Sequence, residues 1–112
     1  VDMTTQCGSP PYVAPEILEG KSGGPSADMW SVGCTLFTMY TRDLPWDLPS
    51  KKCPAYVPVS EGDFSMHPWN TIPDPILDVI KACLVVDPTQ RPTISELKNM
   101  PWLKDLSHNG NL

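Results

Sequence analysis

Basic residues are scarce in this sequence and are not clustered. Its 112 residues include 8 Lys and Arg against 13 Asp and Glu, so the net charge is −5 at pH 7. Binding to the phosphates of nucleic acids requires clustered Lys and Arg side chains. We therefore expect no nucleic-acid partner, and a basic protein or peptide fits the acidic balance better.

A long apolar run is also missing. The longest apolar segment, residues 29–40, is interrupted by Ser and Thr and is shorter than the roughly 20 residues that cross a bilayer. The chain starts at Val1 with neither Met nor a positively charged leader region. We expect no membrane contact, and we expect the chain to have been cut from a longer protein.

The cysteines show no metal-binding pattern. The four cysteines are about twenty to thirty residues apart without a C-x-x-C motif, and neither His67 nor His108 stands at zinc-ligand spacing from them. A disulfide is one alternative. Free thiols in a reducing compartment are favoured, because Cys34 and Cys83 fall on apolar helical faces. This predicts a protein inside the cell, in the nucleus or the cytoplasm.

Proline and apolar residues are abundant instead. Fourteen prolines and 40% hydrophobic residues indicate one globular, mainly helical and loop-rich domain rather than a regular sheet. A helix is predicted from Ala27, with Ser26 as its N-cap, to about Thr41. It is apolar on every side, as is typical of a buried helix.

Two further helices are predicted towards the C-terminus. One starts with Asp74 as N-cap and is amphipathic as far as Leu84, and a short one starts at Thr93 with capping-box spacing to Glu96. They supply too little apolar surface to cover the helix that starts at Ala27, so the chain is expected to be part of a larger domain. Residues 1–103 would belong to that domain and residues 104–112 would form a polar tail.

The stretch TTQCGSPPYVAPEIL, residues 4–18, is stiff without being regular. Each proline fixes its own φ and disfavours the α region for the residue before it. Taken alone, the stretch is either a rigid linker or a loop that presents side chains to a ligand.

Four motifs occur in a fixed order: GSPPYVAPE at residues 8–16, DMWSVG at 28–33, LPWD at 44–47 and DPTQRPT at 87–93. Together they resemble the C-terminal half of the large lobe of a eukaryotic protein kinase, in which A-P-E closes the activation segment. The implied fold is an incomplete, mainly α kinase lobe. LPWD followed by PSKKCPAY is most similar to the checkpoint kinases of the calcium/calmodulin-kinase group, and TTQCGSPPY is similar to the energy-sensing kinases of that group.

The resemblance assigns substrate binding to the stiff loop, which makes it a presenting loop rather than a linker. Ser9 would help to position the acceptor hydroxyl, although a serine before proline is also an ordinary turn residue. The loop would line the pocket for the substrate residue just after the phosphoacceptor. The implied substrate-binding residues are Cys7, Gly8, Ser9, Pro10, Pro11 and Tyr12.

Structural and regulatory roles are also implied. Glu16 and Arg91 would form a buried ion pair rather than two exposed charges, and Trp30 would be structural. Asp28, the lone charge on a helix predicted to be buried, needs a partner, which the resemblance locates in a catalytic loop absent from this chain. Thr5 is a candidate phosphorylation site for regulation, or else a solvated loop residue.

The other kinase motifs do not occur in the sequence: it has no Gly-rich loop, no H-R-D and no D-F-G. ATP and Mg²⁺ are therefore expected to bind the parent kinase and not this chain, which should be inactive alone. The parent would phosphorylate Ser or Thr of protein substrates, and the resemblance implies a role in checkpoint signalling. This chain would need the missing N-terminal part of the kinase domain as its partner. The alternative is a pseudokinase-like or truncated interaction module.

Overall fold

The computed structural model describes residues 12–21 and 23–108, and this part of the chain is helical. Turns and two longer loops connect the helices, and no β-strand occurs in the described ranges. The mainly α fold expected from the sequence is confirmed. The helices are α1 Pro15–Leu18, α2 Pro25–Thr41, α3 Val57–Ser60, α4 Asp74–Cys83, α5 Ile94–Lys98 and α6 Pro101–His108.

The central helix α2 begins earlier than predicted. Ser26 is not its N-cap, because Pro25 occupies the first turn and extended Gly24 precedes it. Proline suits this position, since its fixed φ is helical and its missing N–H would have no partner there. The helix ends at Arg42, which adopts a left-handed conformation with φ 61° and donates its backbone N–H to the carbonyl of Thr38.

Only one side of α2 is buried. Its core residues are Met29, Trp30, Gly33, Cys34 and Phe37. Thr35, Met39 and Tyr40 are exposed, Met39 to 71%. This agrees with the expectation that the other helices of this chain supply too little apolar surface to cover α2 on every side.

Helix α4 packs across α2 at a point of close approach. A Cβ atom added to Gly33 would lie 2.8 Å from the Cβ of Cys83 and 2.9 Å from a methyl carbon of Leu84. Glycine is therefore needed here for packing. Asp74 is the first residue of α4 and not its N-cap, and Pro73 precedes it. The carboxylate still lies in the first helical turn, where the helix dipole favours it.

Aromatic residues from the connecting segments fill the space beside α2. Trp46 lies 5.8 Å from Trp30 and 5.2 Å from Tyr56 between ring centroids, and Trp69 lies 4.3 Å from Phe37. These rings give the long loop between α2 and α4 a fixed course across the core.

Helical structure at the C-terminus continues beyond residue 103, the predicted end of the domain. The predicted capping box at the start of α5 is present, with the hydroxyl of Thr93 and the carboxylate of Glu96 each accepting from the other residue's backbone N–H. Helix α6 then runs to His108, into the segment predicted to be a polar tail. Trp102 and Leu103 explain the difference, because they pack on the core cluster that contains Met29.

The buried cysteines carry free thiols. Cys34 and Cys83 have no exposed surface and are not disulfide-bonded. Burial raises the pKa of the Cys34 thiol to about 12 and that of the Cys83 thiol to about 11. Both thiols therefore stay protonated and pack as small apolar groups. In the described ranges, none of the helices is long and apolar enough to span a membrane.

Candidate functional site

The predicted substrate-binding loop meets the described part of the chain at Tyr12. Residues Cys7, Gly8, Ser9, Pro10 and Pro11, together with Thr5, lie outside the described residues. Tyr12 is half-buried and packs against the main core cluster. Its backbone carbonyl accepts a hydrogen bond from the hydroxyl of Ser31, with 2.8 Å between the oxygens. The end of the predicted loop is thus attached to α2.

Glu16, four residues after Tyr12, forms an ion pair with Arg91. Both are buried, with 8% and 6% of their surface exposed. The guanidinium donates two parallel hydrogen bonds, each 2.8 Å long, from separate nitrogens to the two carboxylate oxygens. The structure thus brings together the two residues, 75 positions apart, that the resemblance pairs. Such two-pronged pairs fix orientation as well as position.

Backbone carbonyls occupy the remaining donors of Arg91. Its Nε donates to Val85 at 2.8 Å, and its terminal nitrogens donate to Ser26 at 2.9 Å and to Val86 at 3.2 Å. All five N–H groups of the guanidinium therefore have an acceptor. Three parts of the chain meet at this group: α1, the start of α2, and the turn after α4.

Trp30 lies against the same guanidinium. The Arg91 carbon that joins the three nitrogens is 5.0 Å from the centroid of the Trp30 ring, a cation–π distance. The ring is completely buried and contacts Trp46 on the other side. Trp30 therefore connects the ion pair to the aromatic core.

The electrostatics keep both partners charged. Burial by itself raises the pKa of the Glu16 carboxyl, but the hydrogen bonds from Arg91 and the positive charges of Arg91 and Lys21 outweigh it, so that the pKa lies below its ordinary value. Glu16 is thus ionised at neutral pH, and Arg91 is always protonated. The pair can clamp the chain but cannot exchange protons with a substrate at this pH.

Asp28 lies in the first turn of α2, and its side chain is exposed in this chain. Water solvates the carboxylate there and the helix dipole favours it. The resemblance locates the partner of Asp28 in a catalytic loop outside this chain, so the need for that partner stays a prediction.

Sequence reasoning missed the role of Ser31 and of the carbonyls around Arg91. Ser31 is one of several Ser and Thr residues in a largely apolar helix, so the sequence does not distinguish it from the others. The backbone acceptors at Ser26, Val85 and Val86 have no side-chain signature, so their role depends on the tertiary fold.

Comparisons of the sequence with a family model and with individual proteins agree with each other. Residues 1–103 match the family model described as "Protein kinase domain". The chain is 38% identical over 102 residues to the Saccharomyces cerevisiae "Serine/threonine-protein kinase CHK1", with 88% of this chain covered. It is 42% identical over 103 residues to the Gallus gallus "Serine/threonine-protein kinase SIK2", with 91% covered. It is 36% identical over 104 residues to the "Sucrose non-fermenting protein kinase 1" of Fusarium virguliforme, with 89% covered.

The chain spans only a small part of these relatives. The aligned segments cover 19%, 12% and 14% of their respective lengths.

Proposed function

Because the chain belongs to the protein kinase family, we propose that it forms the substrate-positioning, C-terminal part of the large lobe of a serine/threonine protein kinase. The whole protein would transfer the γ-phosphoryl group of ATP to Ser or Thr hydroxyls of proteins. The relatives that support this proposal are named as serine/threonine kinases.

The observation that carries the proposal is the clamp between Glu16 and Arg91. It holds the end of the A-P-E motif against the turn after α4 through buried, two-pronged hydrogen bonds. A loop anchored this firmly loses little conformational entropy when a peptide binds to it. The proposed contribution of this chain is therefore binding and orientation of the protein substrate, which can account for a large part of a phosphoryl-transfer rate.

ATP and Mg²⁺ are assigned to other residues of the whole protein. Within the described ranges, no group of three or more His, Cys, Asp or Glu side chains is arranged to hold a metal ion. The proposal is supported by the sequence, which has no Gly-rich loop, no H-R-D and no D-F-G, and the chain alone is therefore expected to be inactive.

A phosphorylation assay tests this proposal. The whole protein is incubated with radiolabelled ATP, Mg²⁺ and peptides that carry basic residues upstream of a Ser, a Thr or a Tyr. We expect label on the Ser and Thr peptides and none on the Tyr peptide or on one with Ala at the acceptor. The 112-residue chain is expected to transfer no label and to show no thermal shift with ATP and Mg²⁺.

The same assay separates the proposal from its alternative. A whole protein that folds but labels none of the peptides would instead be a pseudokinase or an interaction module. A clear thermal shift of the isolated chain with ATP and Mg²⁺ would contradict the assignment of the nucleotide to other residues.

Checkpoint signalling is the proposed pathway. It is supported by the resemblance of LPWD and PSKKCPAY to checkpoint kinases and by the likeness to the yeast protein named CHK1. Deleting the gene is expected to shorten the delay of cell division after DNA damage, and an unchanged delay would argue against this pathway.

A further inference from the structure

Ser31 lies in the middle of α2, beside the end of the predicted substrate-binding loop. Its hydroxyl has one proton and two acceptors near it: the carbonyl of Tyr12 at 2.8 Å and the carbonyl of Ala27, one turn earlier, at 3.4 Å. The shorter distance is ordinary for an O–H···O hydrogen bond, and the longer one is outside the usual range. The proton of Ser31 is therefore donated to Tyr12.

The hydroxyl of Ser31 differs in this respect from two other hydroxyls on the same helix. Thr35 donates to the carbonyl of Ser31 at 2.8 Å, and Thr41 donates to the carbonyl of Phe37 at 2.8 Å. Bonding back to the residue four positions earlier is the usual behaviour of Ser and Thr inside a helix. Ser31 instead bonds across 19 residues to another segment, so its hydroxyl contributes to tertiary structure.

The bond from Ser31 completes the attachment of a short segment. Between Tyr12 and Glu16 the chain is held by Ser31 at one end and by Arg91 at the other, and Ala14 between them is buried. Without Ser31, the Tyr12 end would lose this hydrogen bond and keep its apolar contacts with the core. The carbonyl of Tyr12 could then shift relative to α2.

We propose that Ser31 is a positioning residue, which sets the distance between the substrate-binding loop and α2 by holding the carbonyl of Tyr12. In this way it would tune recognition of the substrate residue that follows the phosphoacceptor. This inference rests on the proposed function, because the loop binds a substrate only if the whole protein is a kinase. Ser31 would not contact the substrate, so its effect would appear in substrate binding rather than in phosphoryl transfer.

The test compares three variants of the whole protein. Ser31→Ala removes the hydroxyl, Ser31→Thr keeps it, and Thr35→Val removes a hydroxyl from the same helix that bonds only within α2. Each is assayed with peptides that differ only at the residue after the acceptor. We expect Ser31→Ala to raise the KM for the preferred peptide about three- to tenfold, the effect of losing one neutral hydrogen bond. The kcat should change less than about twofold, and Ser31→Thr and Thr35→Val should behave like the unaltered protein.

The possible results distinguish the inference from the proposed function. Partial unfolding of Ser31→Ala would lower kcat without raising KM, because only the folded fraction would work. An unchanged KM, or a KM raised equally by Thr35→Val, would overturn the positioning role while leaving the kinase activity established. Failure of the unaltered protein to label any peptide would overturn the proposed function itself. Amide hydrogen exchange of residues 12–18 gives a readout independent of activity, and faster exchange is expected only in Ser31→Ala.

Discussion

The guanidinium of Arg91 makes hydrogen bonds, an ion pair and a ring contact at the same time. Its guanidinium satisfies a carboxylate and three backbone carbonyls and lies over an indole ring. Removing it would leave the carboxylate of Glu16 buried and without its partner, together with three carbonyls that lose a donor. The energetic cost is that of breaking a buried pair, not that of losing a surface contact.

Arg91→Ala is accordingly expected to lower the free energy of unfolding by about 3–5 kcal/mol, or to abolish the folded state. Urea unfolding followed by Trp fluorescence measures the change. Lys52→Ala is a matched control, because Lys52 is an exposed basic residue in the segment between α2 and α3. That change should stay within about 0.5 kcal/mol. Equal losses in the two variants would contradict the clamp.

Acid is expected to weaken the fold through Glu16. The pKa of this carboxyl is lower in the folded than in the unfolded chain, so its contribution to stability is present at neutral pH. The contribution begins to be lost as the pH falls below the ordinary pKa of a glutamate carboxyl, and it is gone once the pH has fallen through the lowered pKa of the folded state. The urea midpoint should therefore fall between about pH 6 and about pH 3.

Glu16→Gln provides the control for this pH dependence. It should be less stable at neutral pH and should lose less of its stability on acidification, since Gln does not ionise. A residual slope is expected from Asp63 and Asp87, whose pKa values are lowered by hydrogen bonds from Ser65 and Thr89. Identical slopes in the two proteins would contradict the role of Glu16.

At the scale of elements, the packing of α2 on α4 depends on the absence of a side chain at Gly33. Gly33→Ala is expected to lower stability, because the new methyl group would overlap Cys83 and Leu84. Overpacking typically costs about 1–3 kcal/mol, against a gain of up to about 1 kcal/mol in helix propensity. Gly24→Ser is the control, since a Cβ there meets no atom within 4 Å and Ser is a good N-cap. A thermal melt that ranks the two variants in the opposite order would contradict this packing.

The sequence predicted elements well where the signal is local. The capping box of α5 depends on Thr93 and Glu96 alone, and the pattern between them is sufficient. The N-caps of α2 and α4 were placed wrongly because the residues around the prolines at each start, Pro25 for α2 and Pro73 and Pro75 for α4, satisfy the same local rules in more than one register. Helix α6 was missed because its sequence is polar after Leu103, and it is the packing of Trp102 and Leu103 on the core that supports it.

The arrangement of the candidate site was also predictable only in part from the sequence. The pairing of Glu16 with Arg91 followed from motif resemblance, since no local rule connects residues so far apart. The exposure of Asp28 did not follow, because it depends on which sides of α2 this chain covers. Likewise, the acceptor of the Ser31 hydroxyl is decided only once the loop lies beside the helix.

At the scale of the whole molecule, a short stretch of the chain exposes several large apolar side chains to water. Met39, Tyr40, Leu44 and Leu48 are exposed to between 39% and 71%. They lie at the end of α2 and in the segment that follows it. Exposed apolar side chains favour association with other chains where they form a patch.

The isolated chain is therefore expected to self-associate, and Met39→Glu combined with Leu44→Glu should shift it towards monomer. Size-exclusion chromatography with light scattering measures the change, and the melting temperature should not fall because neither residue is in the core. Lys52→Glu controls for added negative charge on an exposed position and should leave association unchanged. An unaltered chain that is monomeric at micromolar concentration would contradict the prediction.

The clamp between Glu16 and Arg91 also has a consequence for the order of folding. Its partners are 75 residues apart, and closing so long a loop costs conformational entropy that shorter-range contacts do not incur. The helices and their local caps are expected to form first, with the clamp closing after the transition state. Changes at Glu16 should then accelerate unfolding and leave the folding rate almost unaltered, so the ion pair would act chiefly by prolonging the lifetime of the folded chain.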